Sequence, residues 1–273
     1  MTNLGAELKG KMRELCTTFF QRLPSASRRV LLLDYDGTLA PFHTDRSQAQ
    51  PYAGIPGLLS QIANCGTRIV LISGRPAREL AGLAGFHPQP EIWGSHGFER
   101  LSPEGGYTAT TITATQQSGL ELGRDCLSDN GVTERLELKP GGIALHWRGM
   151  DRPGIEKMKK DVLKQWMPLL LQHRLKLLEF DGGIELRIPG ATKGDAVRTI
   201  LAESGEGAAV AYLGDDQTDE DAFHALKGKG LTVLVAVEPR PTQADICLRP
   251  PHDVVDFLEH WLGQCAAVES SRK

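Results

Sequence analysis

The sequence predicts an α/β protein: a Rossmann-like parallel-sheet core with an inserted α+β cap domain. Two observations lead to this prediction. Short apolar runs alternate with helical patterns near both ends of the chain, which is typical of parallel strands joined by right-handed crossovers. In the middle, that alternation gives way to a helix, two strands, a second helix and two more strands. With 273 residues, the chain has room for both parts.

The predicted core strands are near-continuous apolar runs, as expected when helices cover both faces of a parallel sheet. These runs are residues 30–36, 67–73, 209–215 and 231–237. The core helices are predicted at residues 54–64, 76–84, 193–204 and 219–227. Before the first strand, apolar residues at helical spacing predict one more helix packed on the core, through Leu4, Leu8, Met12, Leu15 and Phe19.

The predicted insertion follows the sequence IWGSHGFERLSPEGG. Its helices are expected at about 113–129 and 153–172, and its strands are RLELKPG, GIALHWR, LKLLEFD and IELRIP. Short glycine-containing turns separate the strands of each pair, which favours hairpins. The sequence therefore predicts a discontinuous core domain, residues 1–107 and 189–273, and a cap domain, residues 108–188.

The composition excludes several classes of partner. The formal net charge is only −3, so there is no electrostatic reason to expect nucleic acid or anionic membrane as a partner. No apolar run approaches the ~18 residues that a membrane span requires. The five cysteines are scattered and form no CxxC motif, and the N-terminal segment is polar. These features predict a cytoplasmic protein without a disulfide framework or a zinc site.

Reactive side chains occur at four points where predicted strands end or a helix begins. They are Asp34 and Asp36 in LLLDYDGTL, Ser73 in LISGR, Lys193 in ATKGDA, and Asp215 and Asp216 in LGDDQTDED. The carboxyl ends of parallel strands meet at one edge of the sheet, where open α/β folds bind ligands. We therefore expect these side chains to converge on one cleft.

Each motif also has an ordinary explanation when it is taken alone. An aspartate after a strand can cap a helix or form a turn, and an acidic run can complement a helix dipole. Ser73 can belong to a plain turn, and Lys193 can be a solvated lysine at a helix start. A calcium hand is a poor alternative, because neither acidic cluster has the required glycine and glutamate spacing.

Convergence of all four motifs favours phosphoryl transfer. Carboxylates from two strand ends would repel one another unless a hard cation neutralised them, and Mg²⁺ binds carboxylates together with substrate phosphate oxygens. A hydroxyl and a lysine supply the hydrogen bond and positive charge that a phosphoryl group needs. One aspartate can attack phosphorus while a second, two residues further on, transfers protons.

The ordered set DxDGT, strand-end serine, lysine and GDD resembles the haloacid dehalogenase-type phosphatase superfamily. This resemblance implies that Asp34 is the nucleophile and Asp36 the general acid and base. It also implies that Ser73 and Lys193 bind the phosphoryl group.

The same resemblance implies the metal site and further substrate contacts. The implied Mg²⁺ ligands are Asp34, Asp36 through its backbone carbonyl, Asp215 and Asp216, with Asp219 as a supporting or alternative ligand. Near the first two motifs, Thr38 and Arg75 are expected to contact substrate.

The motifs DYDGTLAPF, LISGR, GSHGFE, LELKPGGIALHWR, IELRIPGATKG and GDDQTDEDAF together resemble trehalose-6-phosphate phosphatases nearly end to end. The resemblance implies that cap side chains contact the sugar, namely Glu137, Lys139, His146, Arg148 and Glu185. Strand alternation places Glu137 and Lys139 on one face. An exposed ion-pair lattice of little energetic value is the alternative explanation.

The predicted function is hydrolysis of trehalose 6-phosphate to trehalose and phosphate by a Mg²⁺-dependent, monomeric enzyme of trehalose biosynthesis, functionally coupled to a trehalose-6-phosphate synthase. Sucrose 6-phosphate and glycosyl-3-phosphoglycerate are alternative substrates for the same chemistry, and phosphomutase activity is a third enzymatic alternative. A non-enzymatic phospho-receiver is disfavoured, because a receiver needs neither Asp36 nor a cap.

Overall fold

The structure is a computed structural model that describes residues 14–43, 45–128, 132–180 and 182–270. The first part of the predicted N-terminal helix, including Leu4, Leu8 and Met12, lies outside the described residues. Residues 14–22 are helical and are named α1. In this helix Phe19 packs against the core, with its ring centroid 5.7 Å from that of Trp261.

Twelve strands are present in the described residues. They are β1 (Arg29–Leu33), β2 (Thr67–Ile72), β3 (Glu91–Gly94), β4 (Glu99–Leu101), β5 (Tyr107–Ala109), β6 (Leu136–Lys139), β7 (Gly142–His146), β8 (Lys176–Phe180), β9 (Gly183–Arg187), β10 (Ala209–Gly214), β11 (Leu231–Val235) and β12 (Ile246–Leu248).

The remaining α-helices follow in chain order. They are α2 (Ile55–Asn64), α3 (Ala77–Ala84), α4 (Ala114–Ser128), α5 (Arg152–His173), α6 (Lys193–Ser204), α7 (Glu220–Leu226) and α8 (His252–Ser270). Within the described residues, no helix combines the length and the apolarity that crossing a membrane requires.

The larger sheet has eight strands in the order β12-β11-β10-β1-β2-β3-β4-β5, parallel from β12 to β3. Strand β1 lies at its centre, between β2 and β10. The chain proceeds outward from β1 through β2 on one side and from β10 through β11 on the other. The direction of winding therefore changes between β1 and β10, and a crevice forms beyond their carboxyl ends.

Both faces of this sheet are covered, which explains the continuous apolar runs. In β1, Val30 and Leu32 pack with α6 and α7 on one face, whereas Leu31 and Leu33 pack with α2, α3 and α8 on the other. All four side chains are buried. The predicted α/β fold with a parallel-sheet core and an additional cap is confirmed.

The second sheet is antiparallel, with the order β6-β7-β9-β8. One face carries Ile143, Leu145, Ile184 and Leu186, which pack with α4 and α5 around the buried indole of Trp166. Because side chains alternate between faces, the opposite face carries the polar residues of the same strands. This polar face bears the side chains expected to contact a sugar.

Some elements were not predicted from the sequence. Strands β3 to β5 extend the core sheet, the last two in antiparallel pairings, and both β12 and helix α8 were missed. Strand β5 ends at Ala109, so the predicted division between residues 107 and 108 falls within a strand of the core sheet. Strands β3 and β4 include Glu91, Glu99 and Arg100, which hid them from an apolar pattern. The domain boundaries stay a prediction.

We expect Trp261→Ala to destabilise the core by about 3–5 kcal/mol, because a large buried side chain leaves a cavity. Trp261 is fully buried among Phe19, Phe20 and Phe257, and its indole N–H donates to the Thr67 hydroxyl at 3.1 Å. Urea unfolding would measure the loss. The control Leu171→Ala removes a side chain that is 93% exposed and should change stability by less than about 0.5 kcal/mol.

Candidate active site

The carboxyl ends of the core strands open into a cavity of about 430 Å³, whose opposite wall is the polar face of the cap sheet. Most of the residues predicted from the sequence line it: Asp34, Asp36, Ser73, Arg75, Glu137, Lys139, His146, Arg148, Lys193, Asp215 and Asp216. Thr38 and Glu185 do not. The volume is in the range of small-molecule sites.

Three carboxylates meet at the base of this cavity, of which Asp34 and Asp219 are buried and Asp215 is half-buried. Asp34, Asp215 and Asp219 each offer an oxygen within 4.8 Å of the others. Burial raises the pKa of Asp34 to about 7, with Asp219 adding to the increase and Lys193 opposing it. Burial also raises the pKa of Asp215 well above its usual range, reinforced by Asp34 and Asp219. The one neighbouring ammonium, Lys193, therefore does not neutralise the three carboxylates.

The donor set of this cluster fits a hard divalent cation. Among the described residues, Asp215 Oδ1 is buried without a hydrogen-bond partner. Carboxylate oxygens are the donors that Mg²⁺ takes, together with water and phosphate oxygens. The residues that would hold the ion are Asp34 and Asp215, whose oxygens are the least engaged by protein donors.

Asp219 is fully buried, and its oxygens are already used. Its Oδ1 accepts from Lys193 Nζ at 2.8 Å and from the Tyr212 hydroxyl at 2.5 Å. Its Oδ2 accepts from the backbone amides of Asp215 and Asp216 at 3.1 and 2.9 Å. Asp219 therefore positions the loop after β10 and the lysine, which fits a supporting role better than a ligand role.

Asp216 has a local partner. Its Oδ1 accepts from the backbone amide of Gln217 at 2.6 Å, so the carboxylate caps the short helix Gln217–Asp219. It also lines the cavity, and its assignment as a metal ligand stays a prediction.

The lysine lies between two of the acids. Lys193 opens α6, where Thr192 caps the helix in a capping box with Asp195. Its Nζ is 3.0 Å from Asp34 Oδ1 and 2.8 Å from Asp219 Oδ1. Although burial opposes its charge, these acids raise the pKa of Lys193 above its usual range. A permanently charged ammonium therefore lies beside the predicted nucleophile.

The Asp36 side chain is held by an arginine and is not part of the carboxylate cluster. Arg75 Nε and Nη2 donate to its two oxygens at 2.7 and 2.8 Å. The Arg75 side chain is almost fully buried, and its Nη1 donates to Glu79 at 2.9 Å. A bidentate pair of this kind fixes both the distance and the orientation of the carboxylate. The guanidinium of Arg75 thus holds the Asp36 carboxylate in place.

Gly37 allows the two acidic loops to approach each other. Its φ of +80° favours glycine, and a Cβ at this position would lie 2.1 Å from Asp215 Oδ2. A side chain here would therefore displace the Asp215 carboxylate, which lies on the loop after β10. The glycine of DxDGT is a packing requirement of the carboxylate cluster.

Ser73 lies at the end of β2, and its hydroxyl accepts from the Arg75 amide at 3.2 Å. The next residue, Gly74, faces the ring of His96, which a Cβ would approach to 2.7 Å.

Thr38 is fully buried, and its hydroxyl has no hydrogen-bond partner among the described residues. Its predicted substrate contact stays a prediction, and this geometry gives it no access to the cavity.

The cap wall is a network of charged side chains. Glu137 lies 2.8 Å from the ring of His146, and Lys139 donates to Glu185 at 2.9 Å. Glu137 and Glu185 both pair with Ala144 of β7, so they lie on one face. Arg148 stacks over the ring of the core residue Phe42, 4.1 Å from its centroid. Glu185 is buried beneath the cavity lining and positions Lys139 through their hydrogen bond.

Several residues near the site were not identified as functional from the sequence. Arg240 donates to the carbonyls of Asp215 and Asp216 and so clamps the acidic loop. Arg46 lines the cavity and forms an ion pair with Glu137. His96 lies in the cavity wall, where burial and the charge of Lys139 lower its pKa. These residues lie in short connecting segments without apolar periodicity, so their positions in the site could not be predicted from the sequence pattern.

Comparison with solved structures defines the class of protein. A haloacid dehalogenase-like hydrolase from B. subtilis matches with a TM-score of 0.57 at 17% identity, covering 85% of this chain and 99% of that one. The C-terminal domain of trehalose-6-phosphate phosphatase from C. albicans matches with a TM-score of 0.73 at 21% identity, covering 91% and 96%. The fold is that of the haloacid dehalogenase-like hydrolases.

Sequence comparison defines the family. A family model described as trehalose-phosphatase matches residues 32–249, and the chain belongs to the trehalose-phosphatase family. A trehalose-phosphate phosphatase from Mycobacterium ulcerans is 30% identical over 258 residues, covering 88% of this chain and 63% of that protein. A bifunctional trehalose-6-phosphate synthase/phosphatase from Thermoproteus tenax is 33% identical over 223 residues, covering 80% and 30%. The chain thus spans less than two thirds of the length of these curated relatives.

We expect the stability of the metal-free protein to fall as pH rises. Because the folded pKa of Asp34 is raised from 3.8 to about 7, its contribution is fully present below pH ~4 and is lost as pH rises through about 7. Asp34→Asn removes the unfavourable charge, so the variant should exceed the parent by about 1–3 kcal/mol at pH 8 in EDTA.

Thermal unfolding between pH 5 and pH 8, with EDTA and with Mg²⁺, measures this effect. Mg²⁺ should reduce the pH slope of the parent and have little effect on the Asp34→Asn variant. Asp125→Asn, on an exposed side chain of α4, is the matched control and should keep the parental slope. A parental slope of zero in EDTA would contradict the prediction.

Proposed function

We propose that this protein hydrolyses trehalose 6-phosphate to trehalose and phosphate, with Mg²⁺, through a phosphorylated Asp34. The observation that carries the proposal is the arrangement of Asp34: its carboxylate lies 3.0 Å from Lys193 Nζ, beside Asp215, at the base of a cavity roofed by charged cap residues. Membership of the trehalose-phosphatase family and the names of the relatives support the choice of substrate.

The roles of the residues follow from what each one can reach. The Asp34 carboxylate attacks phosphorus, and the sugar oxygen leaves as it takes a proton from Asp36. Lys193 and the Ser73 hydroxyl bind the phosphoryl oxygens and stabilise the charge that spreads over them. Asp36 then takes a proton from the water that attacks the aspartyl-phosphate, which releases phosphate and restores Asp34. When bound, Mg²⁺ would neutralise the carboxylates and the phosphate.

Arg75 is a positioning residue in this proposal. Its bidentate contact keeps the Asp36 carboxylate at the cavity wall, two residues from the nucleophile. Asp36 is half-buried there and therefore remains accessible to a substrate oxygen. Fixing an acid in advance lowers the entropy cost of reaching the reactive geometry.

The sugar would be recognised by the cap wall. Trehalose presents many hydroxyls, and ionised side chains make stronger hydrogen bonds to them than neutral groups do. Glu137 and Lys139 face the cavity across from Asp34, and Glu185 holds Lys139. Sucrose 6-phosphate and glycosyl-3-phosphoglycerate stay the competing substrates, because the core chemistry would be the same for them.

We also propose functional coupling to a trehalose-6-phosphate synthase, which would supply the substrate. The Thermoproteus tenax relative, a bifunctional synthase/phosphatase by name, supports this proposal. The protein is proposed to act as a monomer in the cytoplasm. All five cysteines are free thiols, which fits a reducing compartment.

Phosphate release from a panel of sugar phosphates tests the function. Mg²⁺-dependent turnover should be greatest with trehalose 6-phosphate, should disappear in EDTA, and should fall at least about 10³-fold in Asp34→Asn, which lacks the nucleophile. Asp125→Asn serves again as the exposed control. Equal rates across the panel would reject trehalose 6-phosphate as the specific substrate, and a single turnover of phosphate would revive the phospho-receiver.

The cap assignment is tested by Glu137→Ala. Loss of a charged acceptor costs about 1.5–3 kcal/mol, so KM for the sugar phosphate should rise roughly 10- to 100-fold. Turnover of p-nitrophenyl phosphate, which has no sugar, should change less than about twofold. Glu179→Ala is the matched control, because Glu179 is an exposed glutamate of the same sheet. Equal losses on both substrates would contradict a role in sugar binding.

A further inference from the structure

One core loop reaches across the cavity to the cap. Arg46 begins the short 3₁₀-helix Arg46–Gln48 in the segment between β1 and α2. Its Nη1 forms an ion pair with Oε2 of Glu137 on β6. The Arg46 side chain is 27% exposed and that of Glu137 is 13% exposed, so the pair is largely shielded from solvent. Both residues line the cavity.

The main chain of Arg46 is fixed to the catalytic half of the site. Its carbonyl oxygen accepts from Arg75 Nη1 at 2.9 Å, and Arg75 also holds Asp36. The start of the 3₁₀-helix is capped by Asp45, whose carboxylate accepts from the backbone amide and the hydroxyl of Ser47. The loop is therefore held at its base, and the Arg46 side chain extends from it towards the cap.

Glu137 has one oxygen crowded with donors and one without any. Its Oε2 is paired with Arg46 and lies 2.8 Å from His146 Nε2 and 3.7 Å from Lys139 Nζ. Its Oε1 is buried and has no hydrogen-bond partner among the described residues. Burial would raise the pKa of Glu137, but Lys139, His146 and Arg46 together lower it well below its usual range. An ionised oxygen without a donor is costly, and a ligand hydroxyl would satisfy it.

A purely structural ion pair between core and cap is the simplest alternative. It does not explain the arrangement well, because Lys139 already provides positive charge to Glu137 from within the cap sheet, and the His146 ring lies within hydrogen-bond distance. Arg46 adds a second cation from the core at the cavity wall, and among the described residues Glu137 is the one acid with which it forms an ion pair. A planar fork of N–H donors suits the adjacent hydroxyls of a sugar.

We propose that Arg46 is a specificity-determining residue of the sugar site, contributed by the core: it holds Glu137 by Oε2 so that Oε1 accepts from a sugar hydroxyl, and its other N–H groups donate to the same sugar. This inference rests on the proposed function. In this arrangement the sugar contacts both the cap and the loop that carries Arg46, whose carbonyl accepts from Arg75. A phosphate ester without hydroxyls would gain nothing from Arg46.

Steady-state kinetics of Arg46→Ala and Arg46→Lys test the inference, with trehalose 6-phosphate and p-nitrophenyl phosphate as substrates. In Arg46→Ala we expect KM for the sugar phosphate to rise about 10- to 100-fold, with kcat within about threefold of the parent. Arg46→Lys should recover only part of this loss, because lysine lacks the fork. Turnover of p-nitrophenyl phosphate should stay within about twofold, which also reports that the variants fold.

The double variant Arg46→Ala/Glu137→Ala separates a shared role from two independent ones. If Arg46 acts with Glu137, the loss in the double variant should be smaller than the product of the two single-variant losses, whereas two independent roles would give the full product. Lys159→Ala removes an exposed cap ion pair with Glu179 and should behave as the parent. An unchanged KM in Arg46→Ala, or equal losses on both substrates, would overturn the inference while leaving the proposed function intact. A parent that turns over p-nitrophenyl phosphate but no sugar phosphate would reject the proposed substrate and the role of Arg46 together.

Discussion

The repulsion among buried carboxylates at the switch point of the sheet is the constraint on which the rest of this structure depends. Asp34 and Asp215 follow neighbouring parallel strands, so the fold itself forces their oxygens together. A single buried ammonium, Lys193, partly offsets them through its contacts with Asp34 and Asp219. Burial, reinforced by the neighbouring carboxylates, raises the pKa values of Asp34 and Asp215. The same concentration of carboxylates suits the site to a divalent cation.

Much of the surrounding structure maintains this unfavourable arrangement. Gly37 lets the two acidic loops approach closely, Arg240 clamps the second loop through its carbonyls, and Asp219 binds that loop from beneath. Covering helices on both faces keep the sheet rigid, so the carboxylates cannot relax apart. Preorganisation of this kind is how protein sites stabilise charge that develops during a reaction.

At the cavity, the cap and the core meet through charged side chains. Arg46 pairs with Glu137, and Arg148 stacks on Phe42, both at the cavity. Phe98 of the core segment joins the apolar residues of the cap that pack around Trp166. Charged contacts can exchange partners with a polar ligand, whereas apolar packing cannot. The interface therefore has the chemistry expected of a sugar site between two parts of a protein.

The sequence by itself determined the α/β class, most core elements and the order of the reactive motifs, because apolar periodicity and strand-end chemistry are local properties of the chain. Helix α6 begins at Lys193 and ends at Ser204, as predicted, because its cap and its amphipathic pattern are written in adjacent residues. Only the tertiary structure decided that Thr38 is buried, that Asp219 is saturated by protein donors, and that Arg46 reaches Glu137. The Lys193–Asp219 and Arg46–Glu137 contacts join segments that lie far apart in the chain, and no spacing or periodicity in either segment encodes them.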